Sequence, residues 1–181
     1  SRPGIYDHVL VLDFKSLYPS IIRTFRIDPL GLARPGEDPV PGFLGAGFAR
    51  EASILPEIIT ELWGKRDLAK REANRALTQA IKIIMNSFYG VLGSSGCRFF
   101  DPRLASSITR RGHEIIQRSR DHIEAQGYRV IYGDTDSVVV LLGPDYTPSD
   151  ARQVGEALAA SLNRWWQESI ETHDIKQKGF Q

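Results

Sequence analysis

The sequence is poor in several features that mark secreted, membrane-bound or strongly basic proteins. Its single cysteine, Cys97, has no partner for an internal disulfide. No apolar stretch near its N-terminus resembles a signal peptide or a membrane span. Lys and Arg number 23 against 22 Asp and Glu, so the net charge of +1 does not indicate a strongly basic surface. We therefore expect a protein of a reducing, cytoplasmic compartment with no membrane partner.

The composition is that of a globular chain. The 181 residues are 41% apolar and 25% charged, with no internal repeat and no low-complexity tract. This length allows one domain with a sizeable core, or one domain that carries an inserted subdomain.

A polar segment, Tyr132–Ser137, lies between two runs rich in β-branched residues, Tyr128–Tyr132 and Val138–Leu142. This pattern predicts a β-hairpin. If Asp134 and Asp136 keep strand geometry, both carboxylates point to one face, where a divalent cation such as Mg²⁺ would remove their repulsion. The alternative is a polar turn without a ligand, because Asp and Gly favour turns for local reasons. The spacing does not fit an EF-hand loop.

Another apolar run, Val9–Leu12, predicts a buried strand that ends at Asp13. The Asp13 carboxylate is then either a functional group delivered at a strand end or only the cap of a following helix. From Asp28 to Gly47 the chain is rich in Pro and Gly, which predicts a surface loop.

Four helices are predicted from apolar periodicity, capping residues and proline positions. They cover Leu55 to about Arg71, Thr78–Leu92 after a polar link at Asn74–Leu77, Pro102 to about Gln126, and Pro148 to about Glu171. Thr147 and Asp150 have the spacing of a capping box before the last helix. The apolar stripe of that helix is predicted to contain Val154, Leu158, Leu162 and Trp165.

Polar residues share one face on each of the first two helices. Arg66 and Lys70 stand four residues apart, which suits either a clamp for a polyphosphate or an ordinary solvated face. Lys82, Asn86 and Tyr89 also share a face, while the apolar neighbours are predicted to pack. Those neighbours are Ile81, Ile83, Ile84, Met85 and Phe88.

The order strand, helical hairpin, helix, strand, strand, helix predicts an α+β fold, with an antiparallel sheet covered on one face by helices and the helical hairpin as an insertion. Three segments resemble polymerase motifs in their family order: Asp13–Ser20, Lys82–Gly90 and Tyr132–Ser137. The family is the B-family DNA polymerases, and the chain is most similar to its bacterial members. The resemblance extends from Gly4 to Ser169.

The resemblance implies a polymerase palm formed by residues 1–54 and 94–181, with fingers formed by residues 55–93. The family also has a proofreading exonuclease domain and a thumb, which this length does not accommodate, so we expect a palm-and-fingers fragment. The tail Thr172–Gln181 lacks the strand and the lysine-tyrosine element that the family places there. Some of the three tryptophans, Trp63, Trp165 and Trp166, are then expected to be exposed where the missing domains would pack.

The implied activity is DNA-directed DNA synthesis, the addition of deoxynucleotides to a primer 3′ end on template DNA, with two Mg²⁺ ions. The resemblance implies Asp13 and Asp136 as carboxylates shared by both ions. It implies Asp134 as a weaker ligand and the Phe14 carbonyl as a ligand of the nucleotide-bound ion. A cytoplasmic, nucleoid-associated bacterial enzyme is implied.

The resemblance also implies a binding site for the deoxynucleoside triphosphate. Arg66, Lys70 and Lys82 would hold the triphosphate, and Lys82 would protonate the leaving pyrophosphate. Tyr18 would exclude a 2′-hydroxyl. The remaining nucleotide-binding positions are Ser16 and Leu17 in the first motif, and Asn86 and Tyr89 beside the nascent base pair.

A second hypothesis is a non-catalytic nucleotide- or DNA-binding fragment, because a chain without a thumb has little to grip a primer-template duplex. A reverse transcriptase is a weaker third choice, since the two aspartates of the hairpin are not adjacent.

Overall fold

The computed structural model describes residues 3–172. Their elements, in chain order, are β1 (Val9–Asp13), α1 (Leu17–Thr24), α2 (Pro29–Ala33), β2 (Val40–Pro41), β3 (Gly47–Phe48), α3 (Leu55–Arg71), α4 (Arg75–Leu92), α5 (Pro102–Ala125), β4 (Arg129–Gly133), β5 (Ser137–Leu141) and α6 (Pro148–Thr172). The predicted divergent tail, beyond Thr172, lies outside the described residues.

The chain forms two compact units. The first unit combines the segment up to Lys15 with the segment from Gly112 onward, and the second unit is Ser16–Arg111. The palm and fingers boundaries predicted at residues 54/55 and 93/94 do not coincide with these divisions, and the assignment of palm and fingers stays a prediction.

The first unit is built on an antiparallel sheet with strand order β1-β5-β4. Asp13 pairs with Ser137, and the β4–β5 hairpin predicted from sequence is confirmed, with an irregularity between Val130 and Tyr132. Helices α5 and α6 cover one face of the sheet. The core on that face consists of Ile123, Val130, Val138, Val140, Leu158 and Leu162.

The prediction that Val9–Leu12 is a buried strand is wrong for the side chains on one face of the strand. Val9 and Val11 are exposed, whereas Leu10 and Leu12 pack against the helix-covered core. Because the helix-covered core lies on one face of the sheet, only alternate side chains of β1 reach it. An added Cβ at Gly155 of α6 would lie 3.0 Å from Leu10, so the helix passes close over the strand there.

Helix α6 begins with the predicted capping box. The Asp150 backbone N–H donates to Thr147 Oγ1, and the Thr147 N–H donates to the Asp150 carboxylate. The buried stripe consists of Leu158, Leu162, Trp166 and Ile170. The prediction placed Trp165 in this stripe, but Trp165 is only half-buried and stacks on His122.

The expectation of exposed tryptophans is wrong for two of the three, while Trp165 is half-buried. Trp63 is 7% exposed and Trp166 is 8% exposed. The Trp166 indole N–H donates to Ser119 Oγ, which satisfies its polar edge inside the protein.

The second unit contains a structured segment where sequence predicted a loop. Residues 28–47 include the helix α2 and the strand β2, which pairs with β3. Val40 and Phe48 are buried, and so is Asp28. The surface-loop prediction holds for residues 34–39, which are irregular and mostly exposed, but is wrong for α2 and β2. Such short elements are stabilised by tertiary burial, which local Pro and Gly content does not report.

Helix α3 has the predicted bounds, Leu55–Arg71, and packs against α4. Helix α4 begins three residues before the predicted Thr78, because Asn74 caps it by accepting the Leu77 N–H. Ile81 and Met85 pack as predicted, but Ile83 and Ile84 are exposed. The run of apolar residues in α4 therefore covers more of its circumference than the packed face needs.

Candidate active site

The turn between β4 and β5 carries two of the predicted carboxylates. Asp134, Thr135 and Asp136 lie outside both strands, so the strand geometry assumed for the two aspartates does not apply. The Asp134 N–H donates to the Ser137 carbonyl, and the Asp134 carboxylate accepts the Thr135 N–H at 2.7 Å. Asp134 is thus engaged within its own turn, which limits its use as a ligand.

The end of β1 lies beside this turn. The Phe14 N–H donates to the Asp136 carbonyl at 2.7 Å, one step beyond the pairing of Asp13 with Ser137. Antiparallel pairing therefore places Asp13 and Asp136 at the same end of neighbouring strands. Both residues are exposed, and Asp13 does not cap α1, whose N-cap residue is Ser16.

The donor set at this strand end suits a hard cation. It offers the carboxylates of Asp13 and Asp136 together with backbone carbonyl oxygens, which are ligands that Mg²⁺ prefers. Within residues 3–172 no group of three or more His, Cys, Asp or Glu side chains is placed to hold a metal ion. The arrangement fits Mg²⁺, which commonly binds to one or two carboxylates and completes its shell with water and phosphate oxygens.

The second unit presents a buried cation. Arg66 is 8% exposed, and its Nη1 donates to Ser16 Oγ at 3.2 Å. Its Nε atom is buried with no hydrogen-bond partner, and within the described part of the chain no carboxylate forms an ion pair with Arg66. A buried guanidinium without a counter-charge is costly, so this position favours an anionic ligand.

Ser16 contributes an unusual backbone conformation next to Arg66. It lies at the N-terminus of α1 with φ 51° and ψ 55°, in the left-handed region, and its side chain makes no capping hydrogen bond. The N–H groups of the first turn, including that of Leu17, therefore have no side-chain acceptor at Ser16. A helix N-terminus of this kind attracts anions.

The other predicted nucleotide-binding residues differ in exposure, since Leu17 is buried and Tyr18 and Tyr89 are half-buried. Lys70 is exposed and pairs with Asp67 at 3.7 Å, while Lys82 and Asn86 are exposed on α4. The rings of Tyr18 and Tyr89 are in contact, with centroids 4.7 Å apart and planes at 54°. The structure thus brings Ser16 into contact with Arg66. It also brings Tyr18 into contact with Tyr89.

Sequence reasoning did not identify one buried polar residue of the second unit, Asp28. The signal was present, because Asp28-Pro29 has the same cap-then-proline pattern as Asp101-Pro102, from which α5 was predicted. The contact between Ser16 and Arg66 had no local signal, since the two residues are 50 positions apart.

Comparison with known proteins gives consistent matches. The family model described as DNA polymerase family B matches residues 46–175. The chain is 58% identical over 176 residues to DNA polymerase II of Escherichia coli (strain K12). This alignment covers 94% of this chain and 22% of that protein. The chain is 36% identical over 156 residues to the DNA polymerase alpha catalytic subunit of Oryza sativa subsp. japonica, covering 80% of this chain and 10% of that protein.

A solved structure shows the same fold. The family B DNA polymerase from the archaeon Pyrobaculum calidifontis matches with a TM-score of 0.68 and 26% identity, over 92% of this chain and 23% of that one. The chain therefore spans about a fifth of the length of the bacterial relative and of this structure. No helix within residues 3–172 has the length and apolarity needed to cross a membrane.

Proposed function

Because this chain belongs to DNA polymerase family B, we propose that it is a palm-and-fingers catalytic region for template-directed DNA synthesis, which adds deoxynucleotides to a primer 3′ end. One observation carries the proposal: the hydrogen bond from the Phe14 N–H to the Asp136 carbonyl at the paired ends of β1 and β5. That bond holds Asp13 and Asp136, the two carboxylates of the polymerase motifs, at one strand end.

Asp13, Asp136 and the Phe14 carbonyl would hold two Mg²⁺ ions, with Asp134 as a weaker ligand. When bound, the ions neutralise charge on the transferring phosphate and on the attacking and leaving oxygens. The backbone pairing around Phe14 joins the main chain of the two aspartates, which supports their use as ligands of the same ions.

The second unit would bind the incoming deoxynucleoside triphosphate. Arg66 and the first turn of α1, with Ser16 and Leu17, would receive triphosphate oxygens, and Lys70 and Lys82 would add positive charge. Lys82 would donate a proton to the departing pyrophosphate. The absence of a carboxylate beside buried Arg66, within the described residues, supports this assignment.

Tyr18 would discriminate deoxynucleotides from ribonucleotides. Its ring is backed by Tyr89 at 4.7 Å, which restricts its movement away from an added 2′-hydroxyl. Asn86 and Tyr89 would contact the nascent base pair. Primer-template DNA is the proposed macromolecular partner, and thumb and exonuclease domains are proposed as further partners of the site.

Primer extension tests this proposal. The chain is incubated with a primer-template duplex, dATP and Mg²⁺, beside the variants Asp13→Asn and Asp136→Asn. Each substitution is expected to lower the extension rate at least about 100-fold, since each removes charge stabilisation of several kcal/mol. The matched control is Asp145→Asn, an exposed aspartate beyond β5, which should keep the wild-type rate.

Binding of dATP, measured by calorimetry with and without Mg²⁺, accompanies the extension assay. Folded variants that extend the primer at the wild-type rate would contradict the proposal. Metal-dependent dATP binding without extension by the wild-type chain would instead support a nucleotide-binding role alone.

A further inference from the structure

Asp28 is a fully buried carboxylate that joins two helices of the second unit. Its exposed fraction is 0%. One carboxylate oxygen accepts the Gly31 N–H at 2.8 Å and so caps α2. The other accepts the N–H groups of Leu55 at 2.7 Å and Ile54 at 3.2 Å, at the start of α3. Asp28 therefore caps a helix that begins 27 residues later in the chain.

Helix α3 needs this distant cap. Its own N-cap residue is Ile54, which has no side-chain acceptor. The free N–H groups at a helix N-terminus need acceptors, and the Asp28 carboxylate accepts three backbone N–H groups at the starts of α2 and α3. The position of α3 is thus linked to the chain segment that directly follows α1.

Three contacts connect α3 to the segment Ser16–Asp28, which contains α1. Asp28 and Leu55 are joined at one end, and Ser16 and Arg66 at the other. Between them Arg23 lies 4.8 Å over the ring of Trp63. From one contact to the next, the residue number falls in the segment that contains α1 and rises in α3. The two helices therefore run antiparallel.

The two end contacts are separated by a continuous stretch of α3. Ser16 to Asp28 includes α1 and the non-helical residues after Thr24, whereas Leu55 to Arg66 is 11 residues of one helix. Along an α-helix the latter corresponds to about 16 Å, or three turns. A shift of α3 along α1 at the Asp28 end therefore moves Arg66 at the other end by the same distance, because the helix is rigid on this scale.

We propose that Asp28 is a positioning residue that sets the register of α3 on α1 and so places Arg66 at the N-terminus of α1 for the triphosphate. This inference rests on the proposed function. Asp28 touches no substrate, and it acts through Arg66. Loss of the cap lets the first turn of α3 fray and the helix shift, so that the Arg66 guanidinium no longer lies beside Ser16.

A double-mutant cycle tests this inference in the full chain. Affinity for dATP in the presence of Mg²⁺ is measured for wild type, Asp28→Ala, Arg66→Ala and the double variant. Asp28→Ala is expected to weaken binding about fivefold when Arg66 is present and less than about twofold when it is absent, since residues that act through one another are not additive. Asp28→Asn, which keeps one acceptor oxygen, should give a smaller effect and remain folded.

The control variant is Asn74→Ala. Asn74 caps α4 from the adjacent position, so its loss removes a helix cap without changing the register of α3. We expect the affinity for dATP to stay at the wild-type value. A circular dichroism melt of every variant establishes that the protein is folded at the assay temperature.

The outcomes separate the two proposals. If Arg66→Ala weakens binding but folded Asp28→Ala and Asp28→Asn do not, the positioning role is wrong and the nucleotide site stands. Equal weakening by the Asp28 substitutions with and without Arg66 also overturns the positioning role. If Arg66→Ala itself leaves the affinity for dATP unchanged, both the positioning role and the proposed triphosphate site are wrong.

Discussion

Arg66 and Lys70 show how differently two similar residues behave on one helix. Both are basic and they stand one turn apart, yet Arg66 is 8% exposed and Lys70 is exposed and paired with Asp67. A surface ion pair such as that of Lys70 contributes little to stability. A buried guanidinium with an unpaired Nε carries a desolvation cost. Loss of charge is therefore expected to change the free energy of unfolding at Arg66 and to leave it nearly unchanged at Lys70.

Arg66→Met is predicted to stabilise the protein and to impair nucleotide binding. Replacing the buried cation by an apolar side chain of similar length removes a desolvation cost, and we expect the free energy of unfolding to rise by about 1 kcal/mol. Urea denaturation measures this change. Lys70→Met, the control, should change the free energy by less than about 0.5 kcal/mol. A clear loss of stability in Arg66→Met would show that Arg66 has a structural role.

At the scale of elements, the helix ends were more predictable than the helix faces. Asn74 and Thr147 cap α4 and α6 through contacts within three residues of each helix start. The faces depend on neighbours: in α4, Met85 is fully buried while the adjacent Ile84 is 47% exposed. Local hydrogen bonds thus define where α4 and α6 begin, whereas α3 begins at the distant cap Asp28. Packing decides which apolar residues of a helix are covered.

The capping box of α6 predicts a pH dependence. Hydrogen bonds from the Thr147 hydroxyl and backbone N–H hold the pKa of Asp150 below its ordinary value. A carboxyl whose pKa is lowered on folding contributes stability that is present above its unfolded-state pKa, about 3.9. That contribution is lost as the pH falls through the lower pKa of the folded protein.

We therefore expect Asp150→Asn to melt at a slightly lower temperature than wild type at pH 7, and the difference to disappear below about pH 3. Thermal melts followed by circular dichroism measure it. In a Thr147→Ala background the difference between the two side chains at position 150 should be smaller, because the hydroxyl is removed and only the backbone N–H of residue 147 still donates. A difference that persists at low pH would mean that Asp150 acts through something other than its charge.

At the scale of the whole molecule, the proposed chemistry is divided between two compact units. The carboxylates Asp13 and Asp136 belong to the first unit, while Arg66 and Lys82 belong to the second. If both take part in one reaction, a nucleotide that binds to the second unit should respond to metal ligands of the first unit.

Ligand-induced stabilisation measures this dependence. With dATP at about 100 times its Kd, the free energy of unfolding should rise by about 2.7 kcal/mol. In Asp136→Asn we expect the Mg²⁺-dependent part of this increase to be lost and the metal-independent part to remain. Asp145→Asn should behave as wild type. An identical increase in Asp136→Asn would show that the carboxylates are not involved in nucleotide binding.

Much of the fold could be predicted from sequence because it depends on local interactions. The β4–β5 hairpin, the bounds of α3 and the start of α6 follow from β-branched runs, proline positions and capping residues. Short elements such as α2 and β2 could not be predicted, because their stability comes from burial against distant residues. For the candidate site, the motifs identified the residues. They did not predict the burial of Arg66 or the turn geometry of Asp134.

The sequence by itself determined the order of the longer elements and the family, since the three long motifs and the caps of α5 and α6 are properties of neighbouring residues. Only the tertiary structure decided that β1 is half exposed and that Asp28 and Arg66 are buried. The contacts that bury them join residues 27 and 50 positions apart. Such contacts form only when the helices pack, because burial is a property of the assembled protein and not of any local segment.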